Sequence, residues 1–270
     1  MAKQATHKVN DTRTFGIEIE AFNCAMGTVC DALNAAGIAC VVEGYNHTTR
    51  SHWKLVHDGS IMGQQSFELV SPPLRGAAGL AQIKTVCDVL AALNVHVNKS
   101  CGLHVHHDAQ DLTLDAWKNL CKYYLKYEAA LDSILPESRR GNNNTFCRSL
   151  LNYSTVAERF AQIDEARSLE GLARIVCGDD RYYKLNMMAF WRHGTVEVRH
   201  HSGTIEYEKI AAWVSLTQGL VDKALWIDAT CTVKRGPSIG QTDLASAMKC
   251  AKVSSGTVAY YTERQTTMAA

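Results

Sequence analysis

Segments in which apolar and polar residues alternate are the feature that most constrains how this chain of 270 residues can fold. The first segment spans residues 14–22. Apolar side chains occupy its odd positions, and Glu18 and Glu20 stand at two of the even ones. A period of two is typical of a strand with one buried face and one polar face. Strands that are buried on both faces read instead as continuous apolar runs, so the pattern favours a mixed or antiparallel sheet over a parallel one.

Helical patterns separate the strands and set the fold class. Further strands are predicted at residues 38–42, 53–57, 66–70, 103–107, 181–186 and 194–201. Helices are predicted at residues 28–36, 76–93, 113–135 and 205–227, with two shorter ones between 155 and 176. We therefore predict an α+β fold in which helices cover one face of a mixed or antiparallel sheet and leave the other face polar and concave. No linker divides the chain, so we expect one domain over residues 1–270, with its core at about 14–227 and a helical insertion at about 113–178.

The charge balance limits the partners that the chain can have. Lys and Arg number 28 and Asp and Glu number 27, a formal charge of +1, which argues against an extended nucleic-acid footprint. The chain has no apolar run of about 18 residues, and residues 1–10 lack the apolar stretch of a signal peptide, so we expect no membrane association and a cytoplasmic location. The ten cysteines form no CxxC pair, and we expect them to be buried thiols that take no part in catalysis.

Two carboxylates share one face of the first strand. Glu18 and Glu20 are about 7 Å apart along that strand and repel each other unless a cation lies between them. A divalent metal such as Mg²⁺ suits oxygen ligands on a rigid strand, and a solvated strand face is the alternative. Glu68, which stands between two apolar neighbours in a later strand, is open to the same two interpretations.

Two other strands place histidine or arginine on such a face. His104 and His106 share a face of one strand. They could be metal ligands, proton carriers or a hydrogen-bonded structural pair. Glu197 and Arg199 share a face of the other, which a cross-strand salt bridge would also explain. Taken together, four acids, two histidines and one arginine on a polar sheet face favour a site where metals hold a polyphosphate and the arginine answers the remaining charge.

Six motifs, in matching order from about residue 14 to residue 225, resemble those of the amidoligases, a branch of the glutamine synthetase and glutamate–cysteine ligase superfamily. They are FGIEIE at 15–20, WKLVHDGS at 53–60, FELVSPPL at 67–74, CGLHVH at 101–106, RYYKLN at 181–186 and EVRHHSGT at 197–204. The resemblance implies a fold like the catalytic domain of glutamine synthetase. It also implies that ATP drives the joining of a small-molecule carboxylate to an amine through an acyl phosphate.

The resemblance further implies roles for single residues. The residues that would bind Mg²⁺, or Mn²⁺ in its place, are Glu18, Glu20, Glu68, His104 and Glu197. Arg199 would face the transferred phosphoryl group and His106 would be a second catalytic residue, while Arg181 and Asn186 would join Arg199 in binding ATP. Because such small proteins are frequent in phage genomes, a phage-encoded enzyme is implied. It would modify a nucleotide, a peptide or a small metabolite, and a homo-oligomer is compatible with it.

Other functions remain open from the residues alone. His104, His106 and Asp108 could bind zinc in a metal-dependent hydrolase. A non-catalytic binding module could also retain the superfamily fold, and some members of the superfamily transfer phosphoryl groups to a guanidino group. Three further histidines of these motif regions are expected to face solvent: His107, His200 and His201.

Overall fold

The computed structural model describes residues 6–230 and 242–269. Its strands are β1 (Phe15–Ala21), β2 (Cys40–Val42), β3 (Trp53–Val56), β4 (Phe67–Val70), β5 (Gly102–Asp108), β6 (Leu185–Asn186) and β7 (Thr195–Ser202). Its helices are α1 (Met26–Ala35), α2 (Gly76–Ala92), α3 (Leu114–Asp132), α4 (Val156–Glu165), α5 (Leu169–Cys177), α6 (Ala189–His193), α7 (Tyr207–Thr230), α8 (Leu244–Cys250) and α9 (Ser255–Ala269).

The described strands form one sheet in the order β2-β3-β4-β1-β5-β7-β6. β2 and β3 run parallel, and every other neighbouring pair is antiparallel. The prediction of a mixed sheet in an α+β fold is therefore confirmed.

Helices pack on the apolar face of the sheet. Phe15 and Ile17 of β1 are at most 2% exposed, and a Cβ atom on Gly79 of α2 would lie 3.1 Å from the Phe15 ring. α7 lies behind β5, where the Thr217 hydroxyl is 2.8 Å from Nε2 of His107. α7 also packs against α2 and α3. Because side chains alternate along a strand, the polar residues of β1 and β5 lie on the opposite face.

Local signals account for several helix boundaries. The Thr113 hydroxyl accepts a hydrogen bond from the Ala116 amide and begins α3, as predicted. The region predicted as a helical insertion contains α3, α4 and α5. Of the described cysteines, seven are buried and two are half-buried, while Cys231 lies outside the described residues. Within the described parts of the chain, no helix is both long and apolar enough to span a membrane.

The structure differs from the sequence-based expectation in three regions. β6 is confined to Leu185–Asn186, whereas a strand over 181–186 was expected. The five-residue α6 was missed because it is too short to show helical periodicity, and it ends at Gly194 with φ +68°. The C-terminal region, for which the sequence analysis predicts no element beyond residue 227, contains α8 and α9.

The expectation that three histidines face solvent is wrong. His107 and His200 are 0% exposed and His201 is 2% exposed. His107 follows His106 on β5, so it points to the helix-covered face. Nε2 of His200 donates to the Asp132 carboxylate, and Nδ1 of the same ring lies 2.8 Å from the Tyr124 hydroxyl.

Candidate active site

Strand register brings the predicted polar residues together across five neighbouring strands. The directly opposed pairs are Glu68–Glu20, Glu18–His104, His106–Glu197 and Glu197–Asn186. Opposed residues of antiparallel strands share a face and approach to about 5 Å. A continuous polar row therefore crosses the sheet from β4 to β6.

A local irregularity of β7 places Arg199 beside this row. Val198 pairs with Val105 and His201 pairs with Leu103, so β7 has one more residue than β5 between these pairs. Such bulges redirect side chains and are frequent next to active sites. Arg199 lies within the bulge, and its guanidinium reaches back to Glu197.

One cavity, of about 610 Å³, is lined by every site residue that the amidoligase resemblance implies. These residues are Glu18, Glu20, Glu68, His104, His106, Arg181, Asn186, Glu197 and Arg199. The structure thus brings all nine together, while their individual roles stay predictions.

The acidic floor of this cavity is formed by Glu18, Glu20, Glu68, His104 and Glu197, and His104 lies at its centre. Its Nδ1 atom is 3.0 Å from a Glu18 oxygen and 3.6 Å from a Glu197 oxygen. Its Nε2 atom is 3.5 Å from a Glu20 oxygen. The imidazole is buried, so these three carboxylates surround it with little solvent screening.

Glu197 is held by two donors at its end of the row. Asn186 Nδ2 donates to one of its carboxylate oxygens at 2.6 Å, and Arg199 Nη1 donates to the other at 2.6 Å. Burial alone would raise the pKa of Glu197, but the positive charges of Arg199 and His106 outweigh it and lower that pKa. Glu197 is therefore ionised and oriented.

The acids of the floor differ in how well their charge is compensated. Burial acts to raise the pKa of Glu18, but hydrogen bonds with His104 and His106 outweigh it and hold that pKa well below its ordinary value. Burial and then repulsion from Glu18 and Glu20 raise the pKa of Glu68 well above its ordinary value. Glu68 is therefore an acid that the described side chains do not help to ionise.

The donor set fits divalent cations. Three sets of side chains each have ligand atoms within 4.8 Å of one another: Glu18, Glu68 and His104; Glu18, His106 and Glu197; Glu20, Asp58 and Glu68. Carboxylate oxygens dominate these sets, which suits Mg²⁺ or Mn²⁺. A cation would also relieve the repulsion that raises the pKa of Glu68.

Asp58 is a floor residue that the sequence analysis did not assign. It lies two residues after the end of β3, inside the second motif, and a carboxylate just beyond a predicted strand was a signal available in the sequence. The zinc alternative finds less support, because none of the cation-binding sets among the described residues contains Asp108 or joins His104 to His106.

Arginines and aromatic rings form another wall of the cavity. Arg181, exposed at the rim, lies 5.0 Å from the centre of the Tyr182 ring and donates to the Tyr182 hydroxyl at 3.1 Å. Arg199 lies 5.8 Å from the centre of the same ring, and its Nε atom donates to the carbonyl of Phe146 at 3.2 Å. Phe146 belongs to a segment with no recognisable motif, so the sequence held no signal for it.

Comparison with known proteins places the chain in a family. A solved structure similar to it is the crystal structure of a bifunctional glutathione synthetase from Pasteurella multocida, at 11% identity and a TM-score of 0.43. The match covers 95% of this chain and 47% of that one, so the chain spans less than half the length of that protein. Among curated proteins there is no match. The family model described as "Putative amidoligase enzyme" matches residues 11–221, which is most of the chain, and the protein belongs to this amidoligase family.

Proposed function

We propose that this protein is a carboxylate–amine ligase that uses ATP and Mg²⁺, with Mn²⁺ able to replace Mg²⁺. Family membership supports the reaction class. The observation that carries the proposal is the acid and histidine floor that faces Arg199 within one cavity. A single catalytic domain related to that of glutamine synthetase is part of this proposal.

The floor residues would hold the cations. These are Glu18, Glu20, Glu68, His104 and Glu197, joined by Asp58. Bound Mg²⁺ would supply positive charge that offsets the phosphates of ATP and aligns the terminal one for transfer. The chain contributes the positions of these ligands, because each lies on a sheet strand or, for Asp58, two residues beyond one.

Arg199 would act on the group that is transferred. A carboxylate oxygen of the substrate attacks the terminal phosphorus of ATP, ADP leaves, and an acyl phosphate forms. Burial acts to lower the pKa of Arg199, but the charges of Glu197 and Glu18 outweigh it and raise that pKa. The guanidinium is therefore always charged, and its rigid fork can stabilise the moving phosphoryl group.

His106 would accept the proton that the amine nitrogen loses in the second step. The amine attacks the acyl carbon, phosphate leaves, and the nitrogen must lose a proton. Nδ1 of His106 is 2.8 Å from the Thr195 hydroxyl and Nε2 is 3.3 Å from Glu18, so the ring is held with Nε2 toward the acidic floor. Burial acts to lower the pKa of His106, but Glu18 and Glu197 outweigh it and raise that pKa.

The remaining residues would bind the nucleotide and limit water. Arg181 at the rim would contact a phosphate, and Asn186 would keep Glu197 in position. The substrates would be a small-molecule carboxylate and an amine. Their reaction needs a closed cavity, because an acyl phosphate that meets water is hydrolysed.

Trapping with hydroxylamine tests this function before the amine is known. Hydroxylamine replaces the amine and displaces phosphate from an acyl phosphate, which leaves a hydroxamate that is detected as its coloured iron(III) complex. The purified protein should form hydroxamate from at least one member of a panel of carboxylates, with equal ADP release and a requirement for both ATP and Mg²⁺. ADP release without hydroxamate across the panel would contradict the ligase proposal and indicate ATP hydrolysis.

A further inference from the structure

Arg139 is a buried cation that lacks a matching acid. It is 3% exposed and lines the cavity of the candidate site. Its guanidinium offers five N–H donors, yet its hydrogen bonds among the described residues go only to the carbonyl of Cys101 and, at 3.7 Å, to the sulfur of Cys147. Its Nε atom is buried without a partner, and no described carboxylate lies within the 4.0 Å of an ion pair.

Other buried arginines of the described chain are compensated. Arg13 forms ion pairs with Asp111 at 2.8 Å and Asp222 at 2.7 Å. Arg159 has no acid either, but it donates to three backbone carbonyls and to the side chain of Gln162. Arg139 has one oxygen acceptor. A buried charge with so little compensation is costly unless a ligand completes it.

The position of Arg139 links it to the acidic floor. The guanidinium donates to the carbonyl of Cys101, and the amide of the same peptide group, that of Gly102, donates to Glu20 at 2.6 Å. Arg139 and Glu20 therefore lie on opposite sides of one peptide group at the start of β5. A ligand that binds to the floor would therefore share its cavity with the Arg139 guanidinium.

We propose that Arg139 binds an oxyanion of a substrate in this cavity, either a phosphate of the nucleotide or the carboxylate that is activated. The identity of the ligands in this assignment rests on the proposed function. The uncompensated charge of the buried Arg139 does not depend on it. Both oxyanions accept two parallel N–H bonds from a guanidinium. Arg199 is already engaged by Glu197, so Arg139 is the buried arginine whose charge the described residues leave least compensated.

Binding of simple anions tests the assignment without turnover. The thermal unfolding midpoint is followed in excess Mg²⁺ at constant ionic strength, with inorganic triphosphate in one series and glutarate in another. A ligand that binds only the folded protein raises the midpoint with its concentration, which gives its affinity. The proteins are the wild type, Arg139→Gln, Arg139→Lys and, as a matched control, Arg140→Gln. Arg140 is the next residue, it donates to the carbonyl of Leu135 at 2.8 Å, and it does not line the cavity.

At least one probe should stabilise the wild type, and Arg139→Gln should weaken that probe by about 10- to 100-fold, the loss expected for hydrogen bonds to a charged group. Arg139→Lys should weaken it less, and Arg140→Gln should leave it unchanged. Loss of triphosphate binding would assign Arg139 to the nucleotide, and loss of glutarate binding would assign it to the carboxylate substrate.

Two results would overturn the proposal. One is that neither probe stabilises the wild type. The other is that Arg139→Gln, or Arg139→Lys if the first variant does not fold, binds both probes as the wild type does, which would leave Arg139 a structural residue. If the hydroxamate assay fails while triphosphate or glutarate binding still depends on Arg139, the ligase proposal falls and the anion site stands.

Discussion

Gly102 lies beside the imidazole of His104, and one added methyl group there would displace it. A Cβ atom at position 102 would be 2.7 Å from Nε2 of His104 and 3.4 Å from an oxygen of Glu20. Ordinary contacts begin near 3.4 Å, so Gly102→Ala requires the ring to move by about 0.7 Å. His104 is 3% exposed, and its Nδ1 atom forms a hydrogen bond of 3.0 Å with Glu18. The movement of the ring must disturb that hydrogen bond.

The expected loss is therefore one of ligand geometry and not of folding. Displaced metal-ligand geometry costs about 10- to 100-fold in metal affinity, whereas Ala is favoured over Gly within a strand by about 0.5–1 kcal/mol. Titration with Mn²⁺, followed by electron paramagnetic resonance, should show this loss in Gly102→Ala while the thermal midpoint changes little. Gly16→Ala is the matched control on the same face, because its Cβ would come no closer than 3.5 Å to any described atom. If Gly102→Ala bound Mn²⁺ as tightly as Gly16→Ala, the placement of His104 among the metal ligands would be refuted.

Four further outcomes are expected. Glu18→Gln should lower Mg²⁺-dependent ATP turnover by at least about 10-fold with an unchanged circular dichroism spectrum, and normal turnover would remove Glu18 from the metal site. Arg199→Lys should retain most nucleotide affinity by calorimetry and lose about 10²–10³-fold in turnover; a variant that no longer binds ATP would contradict this role. Burial lowers the pKa of His107 and of His201 to about 3, so the unfolded chain takes up their protons first as the pH falls below about 6.5. The free energy of unfolding should then fall by roughly 1.4 kcal/mol per pH unit for each histidine, and denaturant curves of equal stability at pH 6.5 and pH 5 would exclude it. Burial raises the pKa of the Cys101 thiol, so iodoacetamide should not inactivate the enzyme, and ATP-protected inactivation would show a reactive cysteine.

The faces of the strands could be predicted because side chains alternate with a fixed period. This period placed Glu18 with Glu20 and His104 with His106, and the structure brings both pairs to one cavity. The same rule, applied to His107, would have predicted its burial, since it follows a residue of the polar face.

Contacts between distant segments could not be predicted. No local pattern sets the register that pairs Glu20 with Glu68, and no local pattern indicates the bulge that holds Arg199. The loop residues that line the cavity could not be predicted for the same reason. Phe146 and Arg139 reach the cavity only through the way their loop packs against β7 and the start of β5.

The location of a bound nucleotide would show whether the carboxylates of the cavity hold metal ions against ATP. Crystals of the protein would be grown with a non-hydrolysable ATP analogue and Mn²⁺, and the anomalous scattering of manganese would locate the ions. Manganese is expected between the terminal phosphate and the carboxylates of Glu18, Glu20 and Glu197, with the Arg199 guanidinium on that phosphate. Manganese and nucleotide bound elsewhere, or a nucleotide in this cavity with no metal on these carboxylates, would contradict it.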